Sequence, residues 1–216
     1  MQNWPNPYNM FQLGNKHLNI AMGISLALAL CLLSTSLVFS REHLFLWLNH
    51  DFGKVADQCF LYLTFLAEGW IWIPYFLLVF GWFKKDALII LINFLLSTIL
   101  TQIPKQLFWP NISRPIASGI NLNDFHTVAG VEMHSWNSFP SGHTATAFTI
   151  YFVTAYLFPK NWVVAVGFFY ALACGYSRVY LGQHFPLDAG GGILVGITSI
   201  LLSLFIRKKI RNEKAI

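Results

Sequence analysis

Three short stretches of this sequence combine residue types that bind and process phosphate esters. Lys105, Arg114 and Arg178 are cations that can neutralise phosphoryl oxygens. The planar fork of an arginine guanidinium matches the geometry of a phosphate group. In chain order the stretches are residues 105–115, then Ser138-Phe139-Pro140-Ser141-Gly142-His143, then Ser177-Arg178 followed at a distance by His184 and Asp188.

The second stretch has the form of a helix start. Ser141 can cap a helix, and the free N–H groups of its first turn would form an anion site. Gly142 would allow the backbone to approach a ligand closely. Together with the cations, these N–H groups would stabilise the charge of a five-coordinate phosphorus transition state.

Two histidines can divide bond formation and proton transfer between them. One of His143 and His184 can attack phosphorus and form a phosphohistidine, while the other protonates the leaving alkoxide and then activates water. Asp188 follows His184 by four residues and can hold its far ring nitrogen, which would fix the tautomer. The three cysteines match no metal-ligand spacing, and we expect neither a metal nor a cofactor.

The elements that position these stretches must be strongly apolar. Of the 216 residues, 56% are hydrophobic and 11% are charged, whereas about 25% of a soluble domain is charged. A globule of this size cannot hide so much apolar surface from water, which excludes a soluble domain, a disordered chain and a disulfide scaffold. We expect a single integral membrane domain over residues 1–216.

Six apolar runs are candidates for transmembrane helices. They cover residues 18–39, 60–83, 87–103, 141–158, 162–176 and 189–206. We therefore predict an all-α bundle of six transmembrane helices, with an N-terminal tail over 1–16, a long outer loop over 104–139 and a basic tail over 207–216. The mixed segment 41–55 is either a short interfacial helix or an ordinary loop.

The basic residues predict the orientation of this bundle. The net charge is +5, but the basic residues cluster between apolar runs. This favours the Lys and Arg excess of cytoplasmic loops over nucleic-acid binding. With both termini on one side, that side carries nine basic residues and the other carries five. We therefore place the termini in the cytoplasm and the three phosphate-handling stretches at the outer membrane–water interface.

In these motifs the chain resembles the type 2 phosphatidic acid phosphatases, membrane lipid phosphatases related to the soluble vanadium haloperoxidases. That family carries Lys-x6-Arg-Pro, Pro-Ser-Gly-His and Ser-Arg-x5-His-x3-Asp. The second motif is complete at 140–143 and the third at 177–188. The first motif departs from the pattern, because eight residues rather than six separate Lys105 from Arg114.

The resemblance implies a metal-independent phosphatase that works through a phosphohistidine in a bundle of six transmembrane helices. By motif match His184 is the nucleophile, Asp188 orients it and His143 is the general acid. The phosphate would be held by Lys105, Arg114, Ser141, Gly142 and Arg178, and Ser177 is a candidate to support them from behind. The sequence around the second motif is similar to that of bacterial members, so the site would lie on the periplasmic or external face of the inner membrane.

Two positions carry open alternatives. Glu68 lies inside the second apolar run, and it either supports the arginines of the site from behind or lies in the wet interface. Lys105 either reaches the phosphate, because residues 110 and 111 can make the intervening segment bulge, or extends to the interface as an anchor.

The sequence therefore predicts hydrolysis of a membrane lipid phosphate or diphosphate, with no nucleic-acid ligand and no obligate protein partner. Candidate substrates are undecaprenyl diphosphate, phosphatidylglycerol phosphate, phosphatidic acid and the phosphates of lipid A. The same motifs would serve a phosphotransferase that passes the phosphoryl group to a second lipid. A non-catalytic membrane scaffold is disfavoured because His143, His184 and Asp188 are all intact.

Overall fold

A computed structural model describes residues 15–213 of the chain. Most of the expected N-terminal tail and the last three residues of the basic tail lie outside the described residues. Within the described range the regular elements are all helical. The α-helices are α1 (Lys16–Phe39), α2 (Arg41–Leu48), α3 (Lys54–Phe65), α4 (Trp72–Trp82), α5 (Ala87–Ile103), α6 (Gly142–Leu157), α7 (Asn161–Tyr180) and α8 (Pro186–Glu213).

The second apolar run does not form one straight helix. It is divided into α3 and α4, which are bent by 56° relative to each other at a short break. The break contains a 3-10 turn over Gly69–Ile71. Pro74 lies in the first turn of α4, where its missing N–H is tolerated, but a continuous helix through this position would make its ring clash with the carbonyl of Trp70. The proline therefore explains why the helix ends and restarts, which the run of apolar residues did not reveal.

The number of transmembrane helices is established only in part. Among the described residues four helices are long and apolar enough to cross a membrane, and five spans are reached if the bent pair of α3 and α4 counts as one. The remaining expected span is the apolar run 141–158, which forms α6. This helix has 16 residues, which gives a length of about 24 Å against a hydrocarbon layer of ~30 Å. The prediction of an all-helical membrane protein is confirmed, and the count of six stays a prediction.

Helix α6 lies at the centre of the bundle. Twelve of its 16 residues are buried, and it packs against α1, α5, α7 and α8. The contact with α8 is close because glycines face it: a Cβ atom at Gly192 would lie 2.6 Å from the carbonyl oxygen of Ser141, and one at Gly196 would lie 3.2 Å from the Cβ of Phe148. These glycines bring the start of α6 against the start of α8.

Opposite ends of the bundle are marked by different contacts. At one end Asn15 caps α1 and donates from its Nδ2 to the carbonyl oxygen of Tyr156 at 2.9 Å, near the end of α6. Arg207 near the end of α8 pairs with Asp86 just before α5 at the same end. The other end holds the end of α5, the start of α6, the end of α7 and the start of α8, and this is where the three predicted stretches lie.

The segment after α1 and the long loop close over that end. Residues 41–48 form a helix, which settles the choice between helix and loop for this part of the mixed segment. Arg41 lies 4.5 Å from the centre of the Phe185 ring and donates from Nη2 to Ser113 Oγ at 3.0 Å. The expected outer loop begins as a five-residue π-helical turn, Pro104–Phe108, which prolongs α5.

Candidate active site

The three predicted stretches converge at one end of the bundle. The backbone N–H of Ser141 donates to the carbonyl oxygen of Asp188 at 2.9 Å, which joins the second stretch to the third. Arg114 Nη1 donates to the carbonyl oxygen of Gln183 at 3.2 Å, which joins the first stretch to the third. Residues separated by about 75 positions in the sequence therefore form one site.

His184 and Asp188 form a buried pair at the base of this site. His184 Nδ1 lies 3.2 Å from Asp188 Oδ2, and the two side chains are 2% and 0% exposed. Asp188 lies in the first turn of α8, so the spacing of four residues turns its carboxylate back toward the histidine. With Nδ1 committed to Asp188, Nε2 is the nitrogen left for chemistry.

The environment of His184 keeps its imidazole neutral. Burial lowers the pKa of His184 well below its ordinary value, and the charges of Arg114, Lys105 and Arg178 lower it further. A neutral imidazole carries a lone pair on one ring nitrogen. Since Nδ1 faces the Asp188 carboxylate, the proton belongs on Nδ1 and the lone pair on Nε2, as a nucleophile requires.

Three buried cations surround the pair. Lys105, Arg114 and Arg178 are 8%, 8% and 7% exposed. None of them makes an ion pair with a carboxylate within 4.0 Å in the part of the chain that the structure describes. Buried charges are costly unless they are paired. Three of them at one place therefore form a site that is complete only when an anion occupies it.

The two arginines are held by neutral partners. Arg114 donates from Nε to the carbonyl oxygen of Trp136 at 3.0 Å. Burial lowers the pKa of the Arg114 guanidinium, and the Asp188 carboxylate opposes that effect. Arg178 donates from Nη1 to Thr64 Oγ1 at 2.5 Å, while its Nε has no hydrogen-bond partner. Both guanidinium groups keep donors available for a ligand.

Lys105 lies inside the site despite the longer spacing before Arg114. It belongs to the π-helical turn Pro104–Phe108 and is buried. With its amide turned so that the NH₂ group faces them, Asn137 donates from Nδ2 to the carbonyl oxygens of Lys105 and Pro110 at 2.9 and 3.0 Å, which ties the two ends of this segment together. Because the Lys105 side chain is buried, it does not fit the alternative of an anchor that extends to water. The contact of Lys105 with phosphate stays a prediction.

The start of α6 has the predicted form. Gly142 is the first residue of the helix, and Ser141 Oγ accepts hydrogen bonds from the N–H of Thr144 at 3.4 Å and from its hydroxyl at 2.9 Å. A Cβ atom at Gly142 would make only an ordinary contact, 3.5 Å from Thr101. Packing alone therefore does not require a glycine at this position, whereas close approach of a ligand to the backbone would.

His143 and Glu68 lie next to each other on the more open side of the site. His143 Nε2 is 3.9 Å from Glu68 Oε1, and the side chains are 25% and 37% exposed. His143 Nε2 is itself buried without a hydrogen-bond partner. Both expectations for Glu68 describe part of this geometry, because its carboxylate faces the site and is partly open to solvent.

Ser177 lies apart from the rest of the site. Its hydroxyl donates to the carbonyl oxygen of Cys174 at 2.7 Å, one turn earlier in α7, and the residue is fully buried. This bond satisfies the hydroxyl within its own helix. The expected supporting role of Ser177 behind the phosphate finds no contact to carry it.

Sequence analysis assigned no role to three residues that contribute to the site. Ser138 bonds the Asp188 carboxylate, Thr64 holds Arg178 and Gln183 lies beside Arg114 with its side-chain oxygen at 3.4 Å from Nη1. Ser138 lies two residues before Pro140, and Gln183 directly precedes His184, so nearness to the motifs was an available signal. Nothing in the sequence near Thr64 indicates its role, because its partner lies 114 residues away.

The described residues also bring together one group of metal-ligand type outside this site. Ligand atoms of Asp51, Asp57 and His126 lie within 4.8 Å of one another. Asp57 Oδ1 is already bonded, to His126 Nε2 at 2.8 Å and to the Tyr180 hydroxyl at 2.7 Å. The group ties the outer loop to α3 and α7.

Comparisons with known proteins agree with this geometry. The profile of the PAP2 superfamily matches residues 86–211, more than half of the chain. The bacitracin transport permease protein BcrC of Bacillus licheniformis is 33% identical over 174 residues, which cover 74% of this chain and 78% of that protein. The undecaprenyl-diphosphatase of Sulfolobus acidocaldarius is 27% identical over 169 residues, covering 76% of each.

A solved structure supports the same relationship. The crystal structure of LpxE from Aquifex aeolicus superimposes with a TM-score of 0.64 at 33% identity, covering 75% of this chain and 93% of that one. The range that the family profile matches, 86–211, contains all three stretches that meet at the site. The chain belongs to the PAP2 superfamily, the group of membrane phosphatases that its motifs resemble.

Proposed function

We propose that the protein hydrolyses a membrane lipid phosphate or diphosphate through a phosphohistidine formed on His184, with no metal ion required. The observation that carries the proposal is a set of three buried cations, with no carboxylate partner among the described residues, around a histidine whose Nδ1 faces Asp188. This arrangement binds a phosphoryl group and presents a nucleophile to it at the same time.

In the first step the phosphoryl group enters among Lys105, Arg114 and Arg178. His184 Nε2 attacks phosphorus, the bond between phosphorus and the leaving oxygen breaks, and His143 donates a proton to that oxygen. The cations and the N–H groups at the start of α6 stabilise the charge on the equatorial oxygens. The positive charge that develops on His184 is stabilised by Asp188.

In the second step the leaving group, a lipid alcohol from a monophosphate or a lipid monophosphate from a diphosphate, has departed and water takes its place. His143, now neutral, takes a proton from the water as it attacks the phosphohistidine, and the bond between phosphorus and Nε2 breaks. Inorganic phosphate leaves, and both histidines return to their starting protonation. The substrate, the two histidines and one water molecule therefore supply every atom and proton that the two steps require.

For the substrate we propose an undecaprenyl diphosphate as the first candidate, because one relative that covers 76% of the chain is named an undecaprenyl-diphosphatase. Another relative, from Bacillus subtilis, is named phosphatidylglycerophosphatase B and is 32% identical over 136 residues. Phosphatidylglycerol phosphate, phosphatidic acid and lipid A phosphates are therefore the comparison substrates. We further propose that the site faces the periplasm or the cell exterior.

The test is phosphate release from a panel of these lipids by protein purified in detergent micelles, with and without chelator. We expect turnover of at least one lipid that chelator leaves unchanged and that His184→Gln removes. Label that appears on a second lipid instead of in free phosphate would identify a phosphotransferase. Turnover by His184→Gln, or complete loss with chelator, would contradict the proposed chemistry.

A further inference from the structure

Glu68 occupies a specific place in the bundle, at the break between α3 and α4. Its backbone is extended, with φ −74° and ψ 161°, directly before the 3-10 turn Gly69–Ile71. This conformation takes Glu68 out of the helix, and its Oε1 lies 3.9 Å from Nε2 of His143. A continuous helix through this segment would not present the side chain in the same way.

The break is held by side chains of α7. The Tyr170 hydroxyl donates to the carbonyl oxygen of Leu66 at 2.6 Å, and Cys174 Sγ lies 3.3 Å from the carbonyl oxygen of Leu63. The Leu63 carbonyl also accepts the backbone N–H of Leu66 at 3.2 Å, so these side chains of α7 add to the bonds at the end of α3. The position of Glu68 is therefore fixed by contacts between the break and α7.

The charges around His143 make this neighbour significant. Burial opposes protonation of His143, and the charges of Arg178, Lys105 and Arg114 oppose it further. In the described part of the chain, Glu68 is the only carboxylate within 4.0 Å of its ring nitrogens. A general acid must carry a proton, and here only Glu68 favours the protonated form.

We propose that Glu68 is a positioning residue for the proton donor: it holds the Nε2–H of His143 and stabilises the imidazolium, so that Nδ1 delivers its proton to the leaving oxygen. This inference rests on the proposed function, which makes His143 the acid. The separation of 3.9 Å is longer than a hydrogen bond, and such contacts commonly shorten when substrate is bound. Glu68 would then act on His143 as Asp188 acts on His184.

The proton balance supports this division of roles. When the leaving oxygen takes the proton from Nδ1, His143 becomes neutral and keeps its second proton on Nε2, facing Glu68. When water attacks the phosphohistidine, its proton goes to Nδ1 and the imidazolium forms again. The Glu68 carboxylate faces Nε2 at both stages and stabilises the imidazolium whenever it forms.

Glu68 also attracts the guanidinium of Arg178. If its main role were to hold that arginine for phosphate binding, its loss would raise KM for every substrate by a similar factor. A role through His143 instead lowers kcat most where the leaving group is poor. The groups that act on His143 are Glu68, Arg178, Lys105, Arg114 and His184, and a change confined to Glu68 leaves the other four in place.

The experiment compares Glu68→Gln with Glu132→Gln as a matched control. Glu132 Oε1 also lies 3.9 Å from a histidine nitrogen, Nδ1 of His134, but on the exposed loop with 86% of its side chain accessible. Each variant is assayed from pH 5 to 9 on a lipid monophosphate, whose alkoxide leaves poorly, and on p-nitrophenyl phosphate, whose phenolate leaves easily.

For Glu68→Gln we expect kcat on the lipid to fall about tenfold or more, with its alkaline limb moved to lower pH and the aryl phosphate affected less than about threefold. Glu68→Asp should restore part of the pH profile, and Glu132→Gln should match the wild type. Equal losses on both substrates, or a raised KM with an unmoved pH profile, would overturn the inference. A wild-type enzyme that turns over neither substrate would contradict the proposed function instead, and an unchanged melting temperature shows that Glu68→Gln is folded.

Discussion

The hydroxyl of Ser138 donates a 2.5 Å hydrogen bond to Oδ2 of Asp188. The same oxygen accepts the backbone N–H of Phe185 at 2.9 Å and faces Nδ1 of His184 at 3.2 Å. One carboxylate oxygen thus joins a residue two positions before the second motif, the proposed nucleophile and the residue that precedes α8. The orientation of His184 depends on all of these partners, and Ser138 is the one that the motifs did not mark.

Ser138→Ala should therefore impair catalysis without unfolding the protein. With one donor removed, the carboxylate can rotate and His184 is held less precisely, so we expect kcat to fall about tenfold with a smaller change in KM. Ser177→Ala is the matched control, since its hydroxyl bonds only within its own helix. Steady-state kinetics on the preferred lipid check the prediction. Equal activity of both variants would show that Asp188 is fixed without Ser138.

Lys105→Met should lower kcat/KM by a factor that corresponds to about 3 kcal/mol of lost transition-state stabilisation. This is the cost of one lost charge contact in the transition state. The buried ammonium lies in the site and has no carboxylate partner within 4.0 Å among the described residues. Lys54→Met, at an exposed position near the same end of the bundle, should have kinetics within twofold of the wild type. If well-folded Lys105→Met kept normal kcat/KM, the two arginines would suffice.

The buried His184 should make the protein sensitive to acid. Its pKa is lowered in the folded state, so at acidic pH the unfolded chain binds a proton that the folded chain does not. Stability from this group is complete above the unfolded pKa near 6.5 and falls by about 1.4 kcal/mol for each pH unit below it. Melting temperatures in detergent at pH 7.5 and pH 5 should differ less for His184→Gln than for the wild type. Parallel changes in both would contradict the assignment.

Asn49 should be a strong determinant of stability at the site end. Its buried amide bonds the N–H of His126 and the carbonyl oxygens of His126, Val179 and Tyr180. Asn49→Ala removes the side-chain partner of all of these groups, although the Val179 carbonyl still accepts the N–H of Gly182 at 3.1 Å. We expect a loss of about 2–3 kcal/mol in the free energy of unfolding. Asn123→Ala, on the exposed loop, should be neutral. Thermal unfolding of both variants in the same detergent distinguishes a connecting residue from an ordinary loop residue.

Much of this organisation follows from the sequence because it depends on local spacing. His184 and Asp188 are one helical turn apart, Ser141 and Gly142 begin a helix, and the apolar runs are long enough to predict a helical membrane protein. The break at Glu68 was missed because apolar composition is the same on either side of it. It is set by Pro74 and by bonds from α7, and contacts between distant segments leave no local pattern.

The orientation of the site is tested by labelling single cysteines in a variant that lacks the three native ones. A cysteine at Asn123, in the outer loop, should react with an impermeant maleimide in intact spheroplasts. One at Lys209, near the opposite end of α8, should react only after the membrane is opened. The reverse pattern would place the site in the cytoplasm.

The central claim is that His184 becomes phosphorylated during turnover, and rapid quenching tests it most directly. Protein mixed with lipid labelled in the transferred phosphate is stopped with base within milliseconds and digested. We predict label that is stable to base and labile to acid on the peptide containing His184, stoichiometric with active sites at early times and absent from His184→Gln. Turnover at the full rate with no labelled peptide, or label that persists in His184→Gln, would contradict the account.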